Sequence, residues 1–133
     1  DVYKRQISEF KKILATNPDD VEVRFNLGVA YAKNGELNKA VEEYKQADAR
    51  GLRTAELHTN LGNIYFQQNT LNEAIREYKQ ALAIKDDYAI AHNNLAMTYL
   101  KKGEYRLAIK HCDLARELGA VHPKLLEDLL PYR

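Results

Sequence analysis

Apolar and small residues recur along this chain at intervals that place them on one side of a helix. Leu27 and Tyr31 are four residues apart, and Ala40, Tyr44 and Ala47 follow at i, i+4 and i+7. Because an α-helix completes a turn about every 3.6 residues, each set forms one apolar stripe. The pattern therefore predicts two consecutive amphipathic helices in this part of the chain.

The same two-helix pattern returns twice, each time after 34 residues. The sequence Asn-Leu-Gly at 26–28 recurs at 60–62 and, as Asn-Leu-Ala, at 94–96. Other positions in register are Tyr31, Tyr65 and Tyr99; Ala40, Ala74 and Ala108; Tyr44, Tyr78 and Cys112; and Ala47, Ala81 and Ala115. So many coincidences at one offset indicate an internal repeat.

Each repeat contains a turn signal between its two helices. Gly35, Asn69 and Gly103 occupy equivalent positions, and glycine and asparagine tolerate the left-handed conformation that ends a helix. Because one helical hairpin cannot bury its apolar face alone, the hairpins must stack. The sequence predicts repeats at residues 21–54, 55–88 and 89–122.

The motif Leu-Gly-x-x-Tyr, followed by alanine, tyrosine and alanine at a period of 34 residues, resembles the tetratricopeptide repeat. The resemblance covers residues 21–122 and implies an all-α fold, with antiparallel helix-turn-helix repeats stacked in a right-handed superhelix (an α-solenoid). One departure concerns the aromatic residue often found near the start of the first helix, which is Arg24, His58 or His92 here.

The two ends of the chain extend the same interpretation. Phe10 precedes Tyr44 by 34 residues, so residues 1–20 are expected to hold the second helix of a partial leading repeat. We therefore expect the chain to be a fragment, or its start not to be native. Residues 123–133 are predicted to form a C-terminal capping helix and tail, because Pro123 stands at a first-turn position.

Composition and charge exclude several classes of function. Twenty basic and nineteen acidic residues leave a net charge of +1, and no stripe of lysine and arginine follows one side, so we expect no nucleic-acid partner. No apolar run approaches the roughly 20 residues of a membrane span. One cysteine excludes an internal disulfide framework. A cytoplasmic location is expected.

The chain offers little that could carry catalysis. It contains no glycine-rich phosphate loop and no metalloprotease motif, and Ser8 is its single serine. Cys112 replaces a repeat tyrosine, so we predict that it is a buried small hydrophobe. His58 and His92 occupy one repeat position without a third ligand in reach. We therefore predict that the chain is not an enzyme and has no catalytic residues, metal site or cofactor.

The resemblance implies that positions 2, 5, 6, 9, 12 and 13 of each repeat face a concave groove. These are Glu22, Phe25, Asn26, Val29, Ala32 and Lys33; Glu56, Thr59, Asn60, Asn63, Phe66 and Gln67; and Ile90, Asn93, Asn94, Met97, Leu100 and Lys101. The predicted peptide-binding residues among them are Asn26, Asn60, Asn94, Asn63, Phe25, Val29, Phe66, Lys33, Ile90, Met97, Leu100 and Lys101.

Two properties of this set suggest peptide binding. Asn26, Asn60 and Asn94 form a ladder of amides, each able to donate to and accept from an extended main chain. Asparagine is also simply frequent at this repeat position, which is the alternative explanation. The apolar members resemble an exposed patch of the kind that marks a partner site, although part of it could be covered by a preceding helix or a neighbouring molecule.

A known sub-class with a clamp for a partner's terminal carboxylate does not match. The clamp uses lysine, arginine and asparagine at positions that hold Phe25, Val29, Asn60, Ile90 and Asn94 here, and only Asn60 agrees. A receptor of that type is therefore not expected.

The sequence predicts a non-catalytic protein–protein interaction scaffold that binds a peptide or helical segment of a partner in the groove. One alternative is the substrate-recognition arm of a larger enzyme, such as a peptide-modifying glycosyltransferase. Another is a self-assembling scaffold, with a homo-oligomer formed through the exposed edge of the N-terminal helix.

Overall fold

The computed structural model describes all residues from Asp1 to Arg133 and contains helices but no strand. The helices are α1 (Val2–Thr16), α2 (Val21–Lys33), α3 (Leu37–Ala49), α4 (Ala55–Gln67), α5 (Leu71–Ile84), α6 (Ala89–Lys102), α7 (Tyr105–Glu117) and α8 (Pro123–Leu129), followed by a 3₁₀ turn at Leu130–Tyr132. The predicted all-α class is confirmed. The chain divides into two compact units, Asp1–Arg53 with α1–α3 and Thr54–Arg133 with α4–α8.

The turns between paired helices have the predicted backbone conformation. Gly35, Asn69 and Gly103 all have positive φ, at 81°, 60° and 85°. In each turn the next residue's N–H donates at 2.9 Å to the carbonyl of the repeat tyrosine, in the pairs Glu36–Tyr31, Thr70–Tyr65 and Glu104–Tyr99. This is the Schellman arrangement, which satisfies carbonyl groups that a helix end otherwise leaves unpaired.

In the first unit, α2 packs against both α1 and α3. Tyr44 of α3 lies directly on Gly28 of α2, where a Cβ atom would come within 2.6 Å of the tyrosine ring. Glycine is therefore required at this crossing, because any side chain would push the two helices apart. Ala40 and Ala47 on the same face of α3 are fully buried.

The second unit contains two hairpins, α4–α5 and α6–α7, with α8 packed on α6 and α7. Tyr78 lies on Gly62 as Tyr44 lies on Gly28, and a Cβ at position 62 would be 2.5 Å from its ring. The next hairpin has Ala96 and Cys112 at the equivalent positions, both fully buried in the core.

The third hairpin therefore changes both members of the contact together. A larger residue than glycine in the first helix accompanies a smaller residue than tyrosine in the second, which conserves volume in a close-packed core. Burial also raises the pKa of the Cys112 thiol. The prediction that Cys112 is a buried small hydrophobe is confirmed.

A polar side-chain pair, not anticipated from the sequence, joins the two helices of every hairpin. It connects the position that departs from the family's aromatic to a residue 19 positions later. The pairs are Arg24 Nη1 with Glu43 Oε1 at 3.1 Å, His58 Nδ1 with Glu77 Oε1 at 2.8 Å, and His92 Nδ1 with His111 Nδ1 at 3.0 Å. The departure from the family pattern thus replaces an aromatic contact with an interhelical hydrogen bond.

The His92–His111 pair has a defined proton arrangement. His92 Nε2 is 3.0 Å from the carbonyl oxygen of Asp86, which can only accept, so this nitrogen carries the hydrogen. The Nδ1 of neutral His92 therefore accepts, and His111 Nδ1–H donates to it. Burial, reinforced by His92, Lys110 and Lys79, lowers the pKa of His111 from 6.5 to about 4.

This lowered pKa predicts a loss of stability in mild acid. The unfolded chain binds a proton at His111 below pH 6.5 while the folded chain resists it, so the free energy of unfolding falls as pH drops from 6.5 towards 4. We expect His111→Gln to remove part of this decline. Urea unfolding at intervals between pH 6.5 and about 5, above most carboxylate titration, measures it.

The matched control is His122→Asn, which alters an exposed histidine and keeps an acceptor at the start of α8. This variant should retain the wild-type decline. Equal pH dependence in wild type and His111→Gln would show that His111 does not resist protonation in the fold.

Candidate peptide-binding site

Two adjoining cavities lie in the second unit, between α4, α6 and α8. The first, here called the polar cavity, has a volume of about 320 Å³ and is lined by Asn63, Phe66, Gln67, Tyr78, Asn94 and Met97. The second, the cap cavity, has about 240 Å³ and is lined by Phe66, Met97, Leu100, Lys101, His122, Lys124, Leu125 and Asp128. Phe66 and Met97 line both, so the cavities share a wall.

Helix periodicity explains why these side chains meet. On α4, Asn63 and Phe66 are three residues apart, and on α6, Asn94, Met97 and Lys101 fall at i, i+3 and i+7. Residues three, four and seven apart share one face of a helix. Since α4 contacts α6, the two faces border a common space.

A hydrogen-bond network fixes one amide at the base of the polar cavity. The hydroxyl of Tyr78 donates to Asn63 Oδ1 at 2.6 Å, and Asn94 Nδ2 donates to the same oxygen at 2.9 Å. Burial raises the pKa of the Tyr78 hydroxyl, which therefore stays protonated and remains a donor. Both lone pairs of the Asn63 oxygen are occupied, so its orientation is set.

The same network leaves donors available. Neither hydrogen of Asn63 Nδ2 has a partner within the protein, whereas Asn94 Nδ2 is engaged and Asn94 Oδ1 accepts from Asn93 Nδ2 at 3.4 Å. The polar cavity can therefore donate to a carbonyl or carboxylate oxygen of a ligand through Asn63. This is the arrangement expected for binding the main chain of an extended peptide.

The cap cavity combines an apolar base with charges at its edge. Leu125 is buried and Leu100 is partly buried. Lys101 Nζ lies 5.0 Å from the centroid of the Phe66 ring, and Lys124 Nζ pairs with Asp128 Oδ1 at 3.0 Å.

A hydrogen bond ties the start of α8 to this surface. The backbone N–H of His122 donates to Asn93 Oδ1 at 2.9 Å, so an α6 side chain holds the residue that begins the helix. His122 Nδ1 in turn accepts from the backbone N–H of Lys124 as the N-cap of α8. These two bonds position the α8 wall of the cap cavity.

The structure brings together Asn63, Phe66, Asn94, Met97, Leu100 and Lys101 from the predicted site around these cavities. Two other predicted residues of this unit lie elsewhere. Ile90 is 51% exposed at the start of α6, and Asn60 is partly buried on α4; neither lines a cavity. Thr59, expected to face the groove, is instead 3% exposed, and its hydroxyl has no hydrogen-bond partner.

The predicted residues of the first unit all lie on α2. Phe25 packs on Tyr44 with ring centroids 5.6 Å apart, Val29 is partly buried, and Asn26 and Lys33 are exposed. Their participation in a groove remains a prediction.

Sequence reasoning assigned Tyr78 to the core and overlooked its hydroxyl. A usable signal was present, because the residue 15 positions before the repeat tyrosine or cysteine is Val29 in the first repeat and Met97 in the third. Only the second repeat has an amide there, Asn63, that can accept from a tyrosine hydroxyl. The contribution of α8 lies outside the repeat and had no such signal.

Comparison with known proteins gives consistent results. Family models described as tetratricopeptide or TPR repeats match residues 9–42, 62–103 and 89–118. No curated protein sequence matches the chain. No helix has the length and apolar character needed to cross a membrane.

Several solved structures share the fold. Two crystal structures of MamA are 29% identical with TM-scores of 0.80; the matches cover 84% and 85% of this chain but 66% and 62% of those chains. MamA from Desulfovibrio magneticus RS-1 has 20% identity and a TM-score of 0.81, covering 88% of this chain and 66% of its own. These matches support the predicted class of helical-repeat fold.

Proposed function

Since this chain belongs to the tetratricopeptide repeat family, we propose that it is a non-catalytic scaffold that binds an extended peptide segment of a protein partner. Family membership and the MamA neighbours support a protein-interaction scaffold in general. The more specific part of the proposal places the peptide along the polar cavity.

The orientation of Asn63 is the observation that carries this proposal. Its oxygen is held by Tyr78 and Asn94, and its two N–H groups have no partner within the protein. An extended peptide has main-chain carbonyl groups that can accept from such an amide, whatever its side chains are. Phe66 and Met97 beside it provide apolar surface for an adjacent side chain. An amide whose rotation is already fixed loses little entropy on binding.

Asn63→Asp tests the proposal with little change of shape. An aspartate retains an oxygen for Tyr78 and Asn94 but removes both donors. Eight-residue peptides selected from a random library on the wild-type chain should bind this variant about tenfold or more weakly, because a ligand carbonyl is left facing a carboxylate. Fluorescence anisotropy of labelled peptides measures the affinity.

The control is Asn72→Asp, which makes the same change at an exposed position of α5 that lines neither cavity. It should bind the peptides like wild type. Equal affinity of Asn63→Asp and wild type would refute the role of Asn63, and failure of the wild type to enrich any peptide would refute peptide binding itself.

A second candidate function, self-association, is favoured by the surface of α1. Phe10 and Ile13 correspond by the 34-residue offset to Tyr44 and Ala47, which are 1% and 0% exposed on α3. In α1, Phe10 is half-buried and Ile13 is 43% exposed, because no helix covers that face. An apolar helix face of this kind could pair with a second copy of the chain.

Ile13→Lys tests self-association. If α1 mediates it, the wild-type mass measured by light scattering should rise with concentration, and the variant should stay monomeric because a lysine would be buried in the contact. Ile84→Lys is the matched control, since Ile84 is also 43% exposed but lies at the end of α5. A monomeric wild type at all concentrations would exclude this function.

A further inference from the structure

The two cavities form one continuous surface for a ligand. Phe66 and Met97 line both, so a segment whose main chain reaches Asn63 in the polar cavity lies beside the opening of the cap cavity. The next side chain of such a segment would meet the surroundings of the cap cavity. Those surroundings therefore bear on which segments can bind.

The base of the cap cavity favours an apolar side chain. Leu125 and Leu100 supply aliphatic surface, and the unbranched side chain of Met97 can adjust to different shapes. Burying an apolar side chain here is favourable because it removes apolar area from water on both partners. A polar side chain would lose hydrogen bonds to water and find no replacement on the leucines.

The edge of the same cavity carries one uncompensated positive charge. Lys124 and Asp128 pair with each other at 3.0 Å and cancel. His122 Nδ1 accepts a backbone hydrogen bond, as the neutral ring does. Lys101 alone has no carboxylate partner, and its ammonium group lies over the ring of Phe66, which both cavities share.

We propose, building on peptide binding at Asn63, that the bound segment carries an apolar side chain that enters the cap cavity and, close to it, an acidic side chain that pairs with Lys101. Both polar groups that this surface offers, the Asn63 amide and the Lys101 ammonium, are donors. An acidic peptide segment supplies the matching acceptors. One uncompensated lysine is too little for a nucleic-acid backbone, whose binding uses several cations.

Selection and charge reversal test the proposal together. Random eight-residue peptides selected on the full wild-type chain should share an apolar residue with an aspartate or glutamate nearby. Replacing that acidic residue by its amide should weaken wild-type binding about three- to fivefold, the usual range for a partly exposed ion pair. For Lys101→Glu, replacing it by lysine should instead strengthen binding.

Lys102→Glu is the matched control. Lys102 follows Lys101 on α6, lines neither cavity and lies 3.8 Å from Glu104, so this variant should keep the wild-type preference for acidic peptides. Thermal unfolding of both variants checks that the fold is intact.

The outcomes separate this proposal from the proposed function. Peptides that require Asn63 but show no acidic preference, or the same preference in wild type and Lys101→Glu, would overturn the assignment to Lys101 and leave peptide binding intact. If the wild type enriches no peptide at all, peptide binding fails, and this proposal with it. A reversed preference in Lys101→Glu alone supports it.

Discussion

The contact between a tyrosine of one helix and a glycine of its neighbour sets the geometry of the first two hairpins. Tyr44 lies on Gly28 and Tyr78 on Gly62, with no room for a Cβ atom at either glycine. A bare backbone lets the ring approach closely, and this fixes the separation of the two helices. The other shared features, namely the buried alanines and the left-handed turns, depend on this separation being constant.

In the second unit the same tyrosine also organises the candidate site. Its ring packs on Gly62, and its hydroxyl extends beyond the glycine to Asn63. The amide that can hold a peptide is therefore oriented by a side chain whose own position is imposed by the core. The third hairpin has Cys112 at this position and cannot make the equivalent bond, so the network belongs to one hairpin.

Most of the fold could be predicted from the sequence because its determinants are local and repeated. The 34-residue offset located the helices, the turns at Gly35, Asn69 and Gly103, and the burial of Cys112. The interhelical polar pairs and the Tyr78 hydroxyl bond depend on how far side chains reach between helices, which periodicity does not encode. The α8 wall of the cap cavity lies outside the repeat, so no register argument applied to it.

A double-mutant cycle at positions 62 and 78 tests the central claim that ring and glycine are matched in size. Gly62→Ala should lower the free energy of unfolding of the wild type by about 1–3 kcal/mol, through overpacking against Tyr78. In a Tyr78→Cys background, which copies the Ala96–Cys112 combination, the same change should cost close to nothing. Measured by urea unfolding, this account predicts a coupling energy of at least about 1 kcal/mol, and additive effects would contradict it.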